Sequence, residues 1–258
     1  MARPEGRGRS QVTLSEADGV RYLHFGTEWV QGAMQIAHPY RLALEYQQQM
    51  MAPMLFAPKP DRIVQLGLGA AALTKFCYRH LRASRIEVVE LDPDVIRVAR
   101  QWFALPADDG RLRVVQADAG VHIRGLSGSV DWLQVDLYDA RAAGPVLDDT
   151  AFYRACRACL RSEGVAAFNL FGGALRPSLR AIGAAFGSSW LRLPPTSAGN
   201  RVVLAFAPPV AGWPVERLRR RAATLEKRFG LAASEWLDGL RSATARPIPT
   251  GPGAWLRV

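Results

Sequence analysis

The chain predicts an α/β fold built on a mostly parallel central sheet, and three observations carry that expectation. Short β-rich apolar runs recur along its centre: RIVQL (62–66), IEVVE (86–90), LRVVQ (112–116), WLQVD (132–136) and GVAAFNL (164–170). Amphipathic helical stretches lie between them, at about 70–82, 93–103, 119–124 and 149–161. Strands alternating with helices make βαβ units, whose crossovers leave neighbouring strands parallel. Two glycines, Gly67 and Gly69, follow the first run directly, where a strand would turn into a helix.

The elements can be justified in order. Residues 1–11 (MARPEGRGRSQ) are basic and lack an apolar segment behind the charges, so they read as a disordered arm rather than a secretory leader. Residues 12–57 form an N-terminal β-hairpin and helix region. Extended runs at 12–14, 20–25 and 29–36 are separated by the turn pairs Asp18-Gly19 and Gly26-Thr27, and a helix is expected over about 41–51. Pro53 and Pro58-Lys59-Pro60 then punctuate the chain. Residues 58–210 hold the strand–helix alternation, a Rossmann-like sheet. Its last strands are expected from 190–193 and 202–206, joined by the loop 194–200 as an antiparallel edge hairpin. Residues 211–258 form a basic helical tail. In its first helix Val215, Leu218, Ala222 and Leu225 share one face.

Composition excludes several classes. With 258 residues, 49% hydrophobic and 22% charged, the chain is neither fibrous nor wholly disordered. No apolar run approaches the roughly 18 residues that would cross a bilayer, so no membrane is expected as a partner. Three cysteines are too few for a disulfide scaffold and fit a cytoplasmic location. The net charge of +10 is uneven: residues 1–10 carry +2, residues 211–258 carry +5, and the rest only +3. Thirty of the 33 basic residues are arginines, a compositional skew. A basic stripe is missing from the centre, so nucleic acid is not expected as the main ligand.

The chemistry gathers at the strand ends. Gly67-Leu68-Gly69-Ala70-Ala71-Ala72 is a strand-to-helix turn whose glycines let a ligand approach the backbone. Glu90 ends the second strand, where a carboxylate can accept both ribose hydroxyls. Asp118, followed by Ala119, comes after the third strand and could take an adenine amino group. Each acid alone could equally cap a helix or face solvent; three features on successive strand ends are better explained by an adenosine pocket. A dinucleotide enzyme would share the first two but not the fourth strand end, Val135-Asp136-Leu137-Tyr138-Asp139. Glu90, Asp118, Asp136 and Asp139 gathered in a basic protein point to a cationic ligand, and a carboxylate there could take a proton from an attacking amine.

These residues resemble the spermidine synthase (polyamine aminopropyltransferase) family over about residues 20–207. The segment 25–31 is similar to that family's N-terminal hairpin, and Gln31 matches its nucleoside-contacting glutamine. Glu45-Tyr46-Gln47 resembles its tyrosine-containing helix, which makes Tyr46 and Gln47 candidate substrate contacts. Val89-Glu90-Leu91-Asp92-Pro93 is similar to its ribose motif and Asp118-Ala119 to its adenine pair. Asp136-Leu137-Tyr138-Asp139 with Gly144-Pro145 matches its Asp-x-x-Asp and Gly-Pro loop. Phe152-Tyr153 and Gly164-Val165 also fit. The resemblance implies a class I methyltransferase-type fold and a transferase acting on an adenosyl-sulfonium donor and a small amine acceptor. It further implies Asp139 as proton acceptor, Asp136 as its partner and Tyr138 as a substrate contact.

One departure keeps the donor open. Where the family usually has Gly-Gly-Gly-Asp-Gly, this chain has Gly67-Leu68-Gly69-Ala70-Ala71. By resemblance the missing aspartate would hold the amine of decarboxylated S-adenosylmethionine. With Ala70 there, the helix N-terminus is expected to be free for the carboxylate of intact S-adenosylmethionine. A methyltransferase therefore stands as one alternative, and a catalytically silent nucleoside-binding scaffold using its basic tail as another. Cys156 and Cys159 have CxxC spacing on a helix but no second pair, and His24, His38, His80 and His122 show no ligand spacing, so no metal is expected. The hairpin and the tail are candidate homodimer surfaces.

Overall fold

The computed structural model describes residues 11–138, 145–172, 175–249, 251 and 253–258. The expected disordered arm at 1–11 lies, except for Gln11, outside the described residues.

The chain opens with three antiparallel strands, β1 (Val12–Ala17), β2 (Val20–Phe25) and β3 (Gly32–Gln35). Asp18 and Gly19 both take positive φ, as a tight hairpin turn requires. The third strand is shorter than expected: residues 28–31 leave the ladder as a loop. The helix expected over 41–51 is also broken. It becomes α1 (Glu45–Gln49) and, after a turn, α2 (Pro53–Phe56). Gln47 sets the start of α1 by accepting from the Leu44 N–H at 3.1 Å. Pro53 begins α2 instead of ending α1, because its missing N–H costs nothing in a first turn.

The central sheet uses β4 (Arg62–Leu66), β5 (Arg85–Glu90), β6 (Leu112–Gln116), β7 (Val130–Val135), β8 (Leu160–Leu170), β9 (Trp190–Arg192), β10 (Arg201–Phe206) and β12 (Arg241–Ser242). Their order is β12-β9-β10-β8-β7-β4-β5-β6. The run from β6 to β8 is parallel, and β10 is antiparallel to both β8 and β9. The expected β9–β10 hairpin is therefore present, but the tail adds β12 outside β9. Crossovers are α3 (Ala72–His80), α4 (Pro93–Trp102), α5 (Ala119–Arg124) and α6 (Thr150–Cys159), each within three residues of its expected bounds.

A helix the pattern reading left out, α7 (Leu175–Phe186), crosses from β8 to β9. Its signal was present in Leu175, Leu179, Ile182 and Phe186, which recur at helical spacing and pack on one face of the sheet with α5 and α6. The opposite face is covered by α2, α3, α4, α8 (Val215–Phe229) and α9 (Ala233–Gly239). All four predicted apolar residues of α8 are buried there. The short strands β11 (Trp213–Pro214) and β13 (Trp255–Leu256) pair beside it.

Two buried polar residues, Gln134 and Lys75, hold neighbouring elements together. Gln134 of β7 accepts from Gln65 of β4 at 2.7 Å and donates to the Met50 carbonyl at 2.8 Å, fixing α1 and α2 above the sheet. Lys75 of α3 is buried and donates to the Phe103 carbonyl at 2.7 Å; burial lowers its ammonium to about pKa 7. Cys77, Cys156 and Cys159 are buried free thiols. Among the described residues no helix is long and apolar enough to cross a membrane.

Candidate active site

A cavity of about 1320 Å³ opens over the carboxyl ends of β4, β5, β7 and β8, where a parallel sheet binds its ligands. Its far wall comes from the β2–β3 loop and from α1. Of the residues singled out in the sequence, Gln31, Tyr46, Gly67, Gly69, Glu90, Asp118, Ala119, Asp136 and Tyr138 all line it. Gln47 does not; it is buried, with its amide oxygen holding Leu44. Asp139 and Gly144 lie outside the described residues.

The floor of the cavity over β4 and β5 is set by backbone geometry. Gly67 has φ +95°, and a Cβ there would stand 2.2 Å from the Asp136 carbonyl oxygen, so only glycine lets β4 and β7 end side by side. Glu90 accepts from the N–H groups of Leu68 (3.0 Å) and Asp92 (2.9 Å). Burial raises its carboxyl above the usual range, while those N–H groups pull the other way. Asp118 caps α5 through Val121 N at 2.9 Å and also faces the cavity. The plain capping role and the ligand-facing position thus coexist in one side chain.

The other half is built from side chains. Asp136 accepts from Asn169 Nδ2 at 2.9 Å and from the Tyr46 hydroxyl. Burial pushes its carboxyl upward, opposed by those two hydrogen bonds. Tyr46 is pushed well above the ordinary phenol range by burial and by the neighbouring Asp136. The Tyr138 hydroxyl donates to the Asn169 carbonyl at 2.8 Å. Glu45, one residue before Tyr46, accepts from both the N–H and the hydroxyl of Ser197 at 2.8 Å, joining α1 to the β9–β10 loop. Trp29 and Phe171 meet edge to face, with centroids 6.2 Å apart.

Asn169, Asn200, Ser197 and Glu28 were not foreseen as site residues. Asn169 carried a signal, as a polar residue near the end of an otherwise apolar buried strand. Asn200 and Ser197 reach the site only through the return of a distant loop.

Two features bear on the donor. Ala70 is 3% exposed, packs with Leu23, Met34, Val98 and Phe103, and is not among the lining residues. Its methyl sits so close to Gly32 that a Cβ on that glycine would approach it to 2.6 Å. The Ala70 side chain therefore packs under β3 and is not part of the cavity lining. Charge is the second feature. Glu28, Glu45, Glu90, Asp92, Asp118 and Asp136 line the cavity, and among the described residues no lysine, arginine or histidine does. No group of three metal-ligating side chains is found among the described residues either.

Known proteins resemble this chain in sequence and in fold. Residues 44–169 match the family model described as the spermine/spermidine synthase domain. The chain is 31% identical over 244 residues to a polyamine aminopropyltransferase of Neisseria meningitidis, covering 93% of each. Among solved structures, a probable spermidine synthase from Corynebacterium glutamicum shares the fold, with a TM-score of 0.70 at 18% identity over 86% of this chain and 88% of that one. Human methyltransferase-like protein 13 in complex with SAH is also similar, with a TM-score of 0.62 at 25% identity over 72% of this chain and 92% of that one.

Proposed function

We propose that this chain, which belongs to the spermine/spermidine synthase family, moves an aminopropyl group from decarboxylated S-adenosylmethionine to a small amine acceptor. The observation that carries this reading is that every charged side chain lining the cavity, among the described residues, is acidic in a protein of net charge +10. A sulfonium donor and an amine acceptor are both cations, and a decarboxylated donor brings no anion. Intact S-adenosylmethionine would bring its carboxylate among six acids, with no lysine, arginine or histidine among the described lining residues to meet it. Buried charges need partners, so the lining supports aminopropyl over methyl transfer.

In this reading Glu90 accepts the ribose hydroxyls, Asp118 takes the adenine amino group, and Gln31, Gly67, Gly69 and Ala119 pack against the nucleoside. Tyr46 and Tyr138 border the acceptor. The acceptor nitrogen attacks the methylene carbon next to sulfur; the C–N bond forms, the C–S bond breaks, and sulfur leaves as a neutral thioether. The proton lost by the nitrogen passes to the Asp136/Asp139 pair. Where the resemblance makes Asp139 the acceptor and Asp136 its partner, we assign the proton to Asp136, which lines the cavity and whose proton affinity burial raises. Most of the rate then comes from holding two cations in line within a cavity whose acids offset their repulsion. A cytoplasmic location suits three reduced, buried thiols.

The test is incubation of the purified protein with decarboxylated S-adenosylmethionine and a panel of diamines and longer polyamines, followed by chromatography. An aminopropylated amine and methylthioadenosine in equal amounts are expected. Methylated amine formed from the intact donor, with no aminopropyl product, would overturn the reading.

A further inference from the structure

We propose that Asn200, through Asn169, is a positioning residue that orients the proton-accepting carboxylate of Asp136. The inference rests on the aminopropyl-transfer reading for its assay, but its argument is geometric. Asn169, Asn200 and Thr196 are all buried polar residues, 4%, 8% and 5% exposed, and all belong to one chain of hydrogen bonds.

That chain has a forced polarity. An ionised carboxylate only accepts, so the Asn169 atom 2.9 Å from Asp136 Oδ1 must be its amide nitrogen. The Asn169 oxygen is then turned toward Asn200, which must present its own nitrogen, at 3.0 Å. Asn200 is held in turn by its loop: its N–H donates to Thr196 Oγ1 at 2.9 Å, and its carbonyl accepts from Thr196 N at 2.9 Å. Every amide in the series therefore points its positive end toward Asp136. Two amides in a buried row reinforce one another, so the second adds to what the first gives the carboxylate.

The row also closes a ring. Asp136 meets Tyr46, whose neighbour Glu45 holds Ser197, one residue from Thr196. The β9–β10 loop thereby sets both the tyrosine and the amide that flank the carboxylate. The titratable groups facing Asp136 among the described residues are Tyr46 from α1 and Tyr138 from its own loop, both pushed up and neutral near pH 7. The neighbouring strand ends, Gly67 of β4 and Asn169 of β8, bring no charge. An upward shift of the Asp136 titration is therefore the signature of a disturbed amide row.

Asn200→Asp tests this. It keeps the shape of the side chain but, once ionised, offers no donor to Asn169, so Asn169 must either lose its partner or rotate its oxygen toward Asp136. The acid limb of the kcat–pH profile is expected to move up by about one unit, with kcat at low pH falling about tenfold and the donor Kd from calorimetry within about threefold of the parent. Asn200→Ala, which leaves Asn169 free to keep its orientation, should move the limb by less than half as much. A folded Asn200→Asp variant whose profile overlays the parent's would overturn the proposal. Should that variant not fold, an Asn200→Ala profile identical to the parent's in both limb and kcat would do the same. A parent protein that transfers no aminopropyl group would instead sink the functional reading, and the two failures are read in separate assays.

Discussion

The two halves of the cavity are built on different principles. The nucleoside half is local: Gly67, Glu90 and Asp118 stand at successive strand ends, and their partners are backbone N–H groups within a few residues or on the adjoining strand end. The acceptor half is assembled from afar. Asp136, Tyr46, Asn169 and Asn200 come from four separate elements, and their partners are one another's side chains. In the proposed reading, backbone-anchored carboxylates hold a feature common to every adenosyl donor. A side-chain network can be retuned by single substitutions, which suits the half that must choose an acceptor and set a proton's affinity.

Substitutions in each half should separate along that line. The largest effect is expected from Asp136→Asn: kcat should fall by about 10²–10⁴-fold while donor affinity, measured by calorimetry, stays within about threefold. Its pH dependence sharpens the point. Asp136 must be ionised to accept a proton and burial raises its pKa, so activity should fall as pH drops through a value above the ordinary carboxylate range. Equal turnover by Asp136→Asn and loss only in Asp139→Asn would move the proton to the second carboxylate.

Next in size is Ala70→Asp. A carboxylate placed under Gly32 among Leu23, Met34 and Phe103 is unpaired, so thermal unfolding should show a loss of about 3 kcal/mol or more. Tighter binding of the decarboxylated donor without loss of stability would show that this position does reach the ligand. Glu90→Gln belongs to the local half and should weaken donor binding by about 10- to 100-fold, with kcat at saturating donor nearly retained. A kcat loss at unchanged Kd would blur the division between the halves. Smallest is Glu45→Gln at the exposed tie to Ser197, for which acceptor KM should change by less than about threefold.

The same division explains what could be read from the sequence. Periodicity located β4 through β8 and the helices α3 to α6 because each strand or helix buries a contiguous apolar pattern. It missed α7, whose start follows β8 too closely for the two patterns to separate, and it overran α1, where Gln47 fixes the helix start by a side-chain contact. Gly67, Glu90 and Asp118 were legible as residues of one site because their places in the cavity depend on short spacing from strand ends. Asn200 and Ser197 were not, since only the antiparallel return of β10 carries their loop back to Asp136. The packing of Ala70 was hidden for a related reason: a glycine loop shows its spacing in sequence, but not which side chain packs beneath β3 and which faces the cavity.

Among the described residues every charged side chain lining the cavity is acidic, and such a lining should select a donor without a carboxylate. Calorimetric titration of the purified protein with decarboxylated and with intact S-adenosylmethionine tests it most directly. Tighter binding of the decarboxylated donor, by at least about tenfold, is the expected result. Equal or tighter binding of the intact donor would contradict it.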